Sequence, residues 1–288
     1  MEAALNELPL ALFTTLAPMG AGAFVALACA LFTTTFSDEQ LRKIDRFMAI
    51  PLIVVLAGFV ASFFHLASPL HAPLVFAGVG SSPLSNEIVA GCIFTVLAVV
   101  YWIMGVTGKL SASARKGFAA VVAVAAIVFA CFTGLAYVMD TIASWNSPLV
   151  PVQFAGFALT GGMALGALVL TLAGALDDAA KGSFKTVALA VVAVGVVLAV
   201  AAFCAHVMGV SRLANALENG GDLVSEVTSF VVLAAVLLAA SGVATVLAVR
   251  GMSPMALSLA AVVLAVAGIF VARLVFYAVQ LSVGLYVM

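Results

Sequence analysis

The chain has 288 residues, of which 66% are hydrophobic and 8% are charged, and its formal net charge is −1. About a quarter of the residues in an average soluble domain are charged, so this composition excludes a soluble protein of the same size. The small net charge also argues against nucleic acid as a partner, because binding to phosphates relies on an excess of lysine and arginine.

Eight stretches are apolar and long enough to cross a bilayer, which takes about 20 residues of helix. The sequence therefore predicts an all-α integral membrane protein with eight transmembrane helices. No polar stretch is long enough for a separate domain, so residues 1–288 form one membrane domain, and any catalytic head must be another polypeptide. Residues 37–46 between the first two spans are expected to be a loop. The predicted spans cover residues 8–32, 47–66, 86–108, 118–139, 151–175, 186–209, 226–249 and 255–286.

Lysine and arginine are concentrated in the loops on one side of the predicted bundle. Nine lie on that side and only Arg212 lies in a loop on the other. Because cytoplasmic loops carry the excess of these residues, both termini are expected to lie outside the cytoplasm. The nine residues are Arg42, Lys43, Arg46, Lys109, Arg115, Lys116, Lys181, Lys185 and Arg250.

The two halves of the sequence resemble each other weakly. The second span ends in FFHLAS and the sixth in CAHVMGVS, while the third begins with SNEI and the seventh with SEVT. This pattern predicts a parallel 4+4 repeat of two four-helix bundles, with halves 1–140 and 141–288; chance similarity between apolar segments is the alternative. Glycine-rich runs in the first and fifth spans would let helices approach closely. These runs are Gly20-Ala21-Gly22 and Gly161-Gly162.

His65 and Glu87 fall at the outer ends of the second and third spans, at about the same depth. Ionisable groups inside a membrane are costly and suggest function. An imidazole and a carboxylate can each accept a proton, so the pair predicts a site that oxidises a hydroxyl substrate arriving through lipid, such as a quinol. Two structural alternatives remain: Glu87 in the first turn of a helix capped by Ser85 or Asn86, and His65 bonded to a backbone carbonyl.

Further polar residues near the same level are candidates for this site. Arg273 either snorkels outward, pairs with a carboxylate, or donates a hydrogen bond to a quinone oxygen. Tyr277 fits either the site or the aromatic belt at the membrane surface. His71 fits either the site or a solvated loop. The inner halves of the spans hold almost no ionisable residues, so a proton pump is not expected.

The second half carries its own pair, His206 and Glu226, for which structural pairing is expected. Haem would need axial histidines on facing helices; His65 and His206 would allow one haem, but two would need four histidines and the sequence has three. No iron–sulfur cluster or structural zinc is expected, since these need clustered cysteines. The four cysteines lie singly in apolar runs: Cys29, Cys92, Cys131 and Cys204.

Two short motifs resemble a known family. The residues His65-Leu66-Ala67-Ser68-Pro69 and Leu84-Ser85-Asn86-Glu87-Ile88 resemble the HLxSP and LSNEI motifs of the DmsC family at the same spacing. This family comprises membrane anchor subunits of dimethyl sulfoxide reductase-type molybdoenzymes. Residues 8–28 are similar to the family's first span, and Arg273, Phe276-Tyr277 and Val283-Gly284 are similar to its last.

The resemblance implies oxidation of menaquinol, without haem, near the outer face of a prokaryotic inner membrane during anaerobic respiration. It implies that electrons pass to an iron–sulfur subunit with four clusters and then to a molybdopterin catalytic subunit. It also makes His65 and Glu87 the quinol-site residues. Ser85 and Asn86 beside them are expected to orient the carboxylate or to bind quinol oxygens. His71 departs from the family, which often has arginine there.

Two other protein classes share parts of this pattern. An anchor of the polysulfide reductase (NrfD-like) class has the same architecture with a differently built site. A secondary transporter would use the 4+4 repeat for transport, but transporters place their binding residues near the bilayer midplane. The predicted ionisable residues lie at the outer edge instead, which argues against a transporter.

Overall fold

The computed structural model describes residues 2–65 and 69–283, and for residues 2, 3 and 69–72 it describes the backbone alone. The described part of the protein is almost entirely helical, and it contains eight helical segments long and apolar enough to cross a membrane. The prediction of an all-α membrane protein with eight spans is therefore confirmed.

The helices follow one another with short connections. The α-helices are α1 (Glu2–Asn6), α2 (Leu8–Thr33), α3 (Asp38–Phe47), α4 (Ala49–Phe63), α5 (Pro83–Val106), α6 (Ala112–Leu135), α7 (Leu149–Leu172), α8 (Leu176–Lys181), α9 (Phe184–Val210), α10 (Gly220–Val249) and α11 (Pro254–Ala278). The second span is formed by α3 and α4 together, from Asp38 to Phe63. A 3-10 helix, Pro69–Gly78, connects α4 to α5.

Because successive spans run in opposite directions, the bundle has two ends. We call the end where α4 finishes the His65 end. It also carries the starts of α2, α5, α7 and α10. We call the opposite end, whose connections carry most of the lysine and arginine, the basic end.

The segment 37–46, expected to be a loop, instead begins helix α3. The Ser37 hydroxyl accepts a hydrogen bond from the Gln40 backbone N–H at 3.2 Å, and the Gln40 side chain accepts one from the Ser37 N–H at 3.0 Å. This reciprocal capping box satisfies two backbone donors at the helix start. Asp38 and Glu39 in the first turn are also favourable beside the helix dipole. Hydropathy alone misses this helix because its residues are largely polar.

Helix α3 brings Asp45 against Arg115 of α6 at the basic end. The two form an ion pair whose side chains are 1% and 8% exposed respectively. Gly105 of α5 makes room for it, since a Cβ there would lie 2.8 Å from the Asp45 carboxyl carbon. The sequence placed Arg115 in a loop, but α6 begins six residues before the predicted span. The buried pair therefore links three helices of the first half.

Replacing Asp45 by asparagine is expected to destabilise the protein by about 3–5 kcal/mol, because it leaves the Arg115 charge buried without a partner. Thermal unfolding in detergent measures this as a lowered Tm. Glu39→Gln is the matched control: it removes the exposed Glu39–Lys43 pair of the same helix. It should leave Tm unchanged, and an equal loss in both variants would contradict the role given to burial.

Helices α2 and α7 form the centre of the bundle. Each is 78% buried over its most apolar stretch, whereas the other spans are 28–39% buried. Helices α4 and α6 pack against α2, and α5 packs against α6; in the same way α9 and α11 pack against α7, and α10 against α11. The corresponding pairs of spans are thus in contact in each set of four. The 4+4 repeat itself stays a prediction.

The two central helices meet at glycines. A Cβ at Gly22 of α2 would lie 1.8 Å from the Ala158 carbonyl oxygen of α7. A Cβ at Gly162 of α7 would lie 2.2 Å from the Gly22 carbonyl carbon. The backbones are thus in direct contact, which is the role that the sequence predicted for the glycine-rich runs.

Candidate functional site

Polar side chains are buried together near the His65 end, and they come from both halves of the molecule. Buried polar groups in a membrane protein are costly unless they are partnered, and they indicate function. The set comprises Thr14 and Thr15 of α2, Ser85 and Glu87 of α5, Thr133 of α6, Ser144 of the connection before α7, Gln153 of α7, His206 of α9 and Arg273 of α11.

Glu87 lies deeper in its helix than the sequence suggested. Helix α5 begins at Pro83, and its N-cap is Ser82, whose hydroxyl accepts from the Ser85 N–H at 3.4 Å. The prediction of Ser85 or Asn86 as N-cap is therefore wrong, and Glu87 is the fifth helical residue. Because the dipole effect falls off beyond the first turn, capping does not explain this carboxylate.

The Glu87 carboxylate is buried between two helices, with a residue exposure of 4%. The Thr133 hydroxyl of α6, which donates to the Phe129 carbonyl oxygen at 3.1 Å, lies near it, and the charge of Arg273 acts on it from α11. Its Oε1 atom is buried and has no hydrogen-bond partner among the described residues. A buried acceptor without a partner calls for a functional explanation. Here it marks a place where a hydroxyl group could donate.

Arg273 does not snorkel, since it is only 1% exposed. Its Nε donates to the Thr14 hydroxyl and its Nη2 to the Tyr277 hydroxyl, each at 3.0 Å. Its Nη1 has no hydrogen-bond partner among the described residues, and Arg273 forms no ion pair with any of them. The guanidinium carbon lies 4.0–4.9 Å from the centroids of four aromatic rings, which stabilise it by cation–π contacts. The rings are those of Tyr137, Phe154, Phe276 and Tyr277.

Tyr277 is buried at 1% exposure, so its assignment to a surface aromatic belt is wrong. Its hydroxyl lies 2.6 Å from the hydroxyl of Tyr137. Burial raises the pKa of Tyr137 well above its ordinary value, so this hydroxyl stays protonated. We call Thr14, Glu87, Thr133, Tyr137, Arg273 and Tyr277 together the Arg273 cluster.

Sequence reasoning missed three members of this cluster: Thr14, Thr133 and Tyr137. Only Thr14 carries a local signal. Pro18 lies four residues later inside α2, and because proline has no N–H, the Thr14 carbonyl loses its helical donor. A polar residue four positions before a proline in an apolar span is thus a cue to irregular backbone near a site.

Ser85 and Asn86 lie beside the loop that precedes α5. The Asn86 side-chain oxygen accepts from the Gly80 N–H at 2.7 Å, and Gly80 has a left-handed φ of 87°. A Cβ at Gly78 would lie 2.7 Å from the Ser85 hydroxyl. Asn86 therefore fixes the loop, and within the described residues it makes no hydrogen bond to Glu87.

His65 lies at the same end but against a different partner. Its side chain is 43% exposed, and its Nδ1 is 3.3 Å from an Oε of Glu7, the residue before α2. No hydrogen bond joins it to Glu87 in the described part of the protein. The two residues predicted as a pair thus share an end of the bundle, while each has its own surroundings. The side chain of His71 lies outside the described residues.

The predicted pairing of His206 with Glu226 is wrong. The His206 Nε2 lies 2.7 Å from the Ser144 carbonyl oxygen, whereas Glu226 is exposed. Ser144 is held in turn, since its hydroxyl accepts from the Leu281 N–H at 2.8 Å. His206 therefore ties α9 to the connection before α7.

His65 and His206 do not form a facing pair. Helix α4 packs against α2 in one half, and α9 packs against α7 and α10 in the other. Within residues 2–65 and 69–283, no three histidine, cysteine, aspartate or glutamate residues come close enough together to hold a metal ion.

Known proteins match this sequence over most of its length. Residues 1–279 match the family described as DMSO reductase anchor subunit (DmsC). The C subunit of the anaerobic dimethyl sulfoxide reductase of Haemophilus influenzae is 31% identical over 228 residues, 78% of each protein. The corresponding C subunit of Escherichia coli is 34% identical over 170 residues, 59% of each protein. The anaerobic dimethyl sulfoxide reductase subunit YnfH of E. coli is 28% identical over 240 residues, which are 82% of this protein and 80% of the relative.

The resemblance seen in the two short motifs is confirmed by a family match that extends far beyond them. It includes α2, which supplies Thr14, and α11 as far as Ala278, which supplies Arg273 and Tyr277. This eight-span protein belongs to the DmsC family of dimethyl sulfoxide reductase anchor subunits.

Proposed function

We propose that this protein anchors a dimethyl sulfoxide reductase-type complex in the membrane and oxidises menaquinol for it. The observation that carries the proposal is the buried carboxylate of Glu87, one of whose oxygens has no hydrogen-bond partner among the described residues. A carboxylate in that position can accept a proton from a hydroxyl group that reaches it. The family membership supports the anchor role.

Oxidation of a quinol to a quinone releases two protons and two electrons. Glu87 accepts the proton of one hydroxyl, and His65, whose imidazole is half-exposed, accepts the other. The two electrons pass to a partner iron–sulfur subunit with four clusters, and from there to a molybdopterin catalytic subunit that reduces the terminal acceptor. Both partners are other polypeptides.

Arg273 supports this chemistry through its charge and its remaining donor. A carboxylate at membrane depth is costly, and the positive charge of Arg273 offsets part of that cost. The Nη1 atom, which has no partner among the described residues, is available to donate a hydrogen bond to a quinol oxygen. Tyr277 and Thr14 hold the guanidinium in place through its other nitrogens.

The distribution of basic residues sets the proposed orientation. The basic end faces the cytoplasm by the positive-inside rule, and the His65 end faces the outside of the bacterial inner membrane. Protons taken from the quinol by Glu87 and His65 are then released outside the cytoplasm. The connection Ala136–Pro148 and the 3-10 helix Pro69–Gly78 both lie on that outer side.

The purified complex, reconstituted in lipid vesicles, tests the function directly. Menaquinol added to the vesicles should be oxidised to menaquinone in step with reduction of the terminal acceptor. A reduced viologen dye, which feeds electrons to the soluble subunits, serves as the control donor. A complex that turns over with the dye but leaves menaquinol untouched would overturn the proposal.

A further inference from the structure

A groove runs along the lipid-facing side of α5 and α6. It has a volume of about 390 Å³, and its walls are apolar apart from Asn86 at one end. Ala90 and Ala125 lie along it, flanked by larger side chains such as Ile93 and Val124. None of the residues that line it is charged. The groove therefore suits a flexible apolar chain.

The polar end of this groove adjoins the candidate site. Glu87 and Thr133 do not line the groove themselves, but Asn86 directly precedes Glu87 on α5 and Phe132 directly precedes Thr133 on α6. From Phe132 the lining extends along α6 to Val121, a helical length of about 16 Å at 1.5 Å per residue. A molecule lying in the groove would thus have one end beside Glu87 and the other deep in the lipid.

The opposite half of the molecule is built differently. Helices α10 and α11, which occupy the places of α5 and α6 in the 4+4 arrangement, pack together more extensively than α5 and α6 do. The looser pair is the one that carries Glu87. A second groove of about 400 Å³ lies between α2 and α11. Its lining includes Thr15, which follows Thr14 of the Arg273 cluster, together with Ala267 and Phe270, but no residue next to Glu87 in the sequence.

We propose that the α5–α6 groove binds the isoprenoid tail of the quinol and so delivers the headgroup to Glu87 past Asn86 and Phe132. This inference rests on the proposed quinol oxidation and adds the path by which the substrate is held. A phospholipid tail fits the groove less well, because its phosphate would sit at the polar end, where the lining offers no cation. The Asn86 side-chain oxygen there is already bonded to the Gly80 N–H.

Filling the groove tests the proposal. Ala125→Trp places a large ring in the α5–α6 groove, and Ala267→Trp does the same in the α2–α11 groove as a matched control. The KM and kcat of the whole complex are measured with menaquinol of natural tail length and with a quinol that has a single isoprene unit. Ala125→Trp should raise KM for the long-tailed quinol about tenfold, because the displaced tail loses many van der Waals contacts with the groove walls. It should leave kcat and the short-tailed KM unchanged, and Ala267→Trp should change none of these values.

Other outcomes are distinct and each overturns the inference. An equal rise in KM for both quinols would show that the tryptophan disturbs the headgroup site. A rise in KM confined to Ala267→Trp would place the tail in the α2–α11 groove. No rise in KM in either variant would mean that the α5–α6 groove is filled by bulk lipid. Dye-driven turnover verifies assembly, and Val124→Trp on the exposed rim replaces Ala125→Trp if that variant does not assemble. The unaltered complex is first tested for oxidation of both quinols. A failure of the proposed quinol oxidation is therefore distinguished from a failure of the proposed tail binding.

Discussion

Glu87→Gln is expected to abolish menaquinol-driven turnover of the assembled complex while leaving dye-driven turnover intact. Glutamine has nearly the same shape and still fits the buried position beside Thr133, but it cannot accept a proton at neutral pH. Loss of a positioned general base costs typically about 10²- to 10⁴-fold in rate. The activity with menaquinol should therefore fall by at least about 10²-fold, measured in membranes that contain equal amounts of complex.

The protein offers a matched control for this substitution. Glu226 stands at the start of α10, the position that the predicted 4+4 repeat would pair with Glu87, yet it is exposed. Glu226→Gln should leave turnover with both donors unchanged. Near-normal menaquinol turnover in Glu87→Gln would remove Glu87 from the mechanism. A parallel loss with the dye would instead indicate failed assembly.

Hydropathy was enough to predict the eight spans, but it could not predict how their ends are built. The apolar stretches show directly where lipid can surround the helices. Helix α5 nevertheless starts three residues before the predicted span, because Ser82 and Pro83 are good N-terminal residues that hydropathy ignores. That shift moves Glu87 from the first turn into the helix. It argues against capping as the role of Glu87, an alternative that spacing alone had left open.

The surroundings of the site residues could not be predicted, because they depend on contacts distant in sequence. Thr14 and Arg273, which hydrogen-bond to each other, are 259 residues apart. Asp45 and Arg115 are 70 residues apart. Sequence position gives the depth of a residue in a span but not the direction in which its side chain points. His65 and Glu87 were correctly expected near one end, yet they face Glu7 and Thr133 respectively.

Gly22→Ala is expected to prevent stable assembly of the two halves. A Cβ at this position would lie 1.8 Å from the Ala158 carbonyl oxygen, and neither backbone can move without shifting a whole central helix. Ordinary overpacking by a methyl-sized group costs about 1–3 kcal/mol, and a clash with backbone should exceed that range. We expect a large loss of folded protein in the membrane and a lowered Tm of what remains, measured by thermal unfolding in detergent.

Two other glycines separate the clash from the general effect of adding a methyl group to a helix. Gly117 of α6 and Gly209 of α9 have open space where a Cβ would be added. Alanine there should be neutral or stabilise by about 0.5–1 kcal/mol, because glycine is unfavourable inside helices. A Tm for Gly22→Ala equal to that of these controls would mean that α2 and α7 do not need backbone contact. Their contact also bears on the site, since α2 carries Thr14, the partner of Arg273, on the same rigid helix. A variant that folds with α2 displaced should therefore lose more of its menaquinol-driven turnover than of its dye-driven turnover.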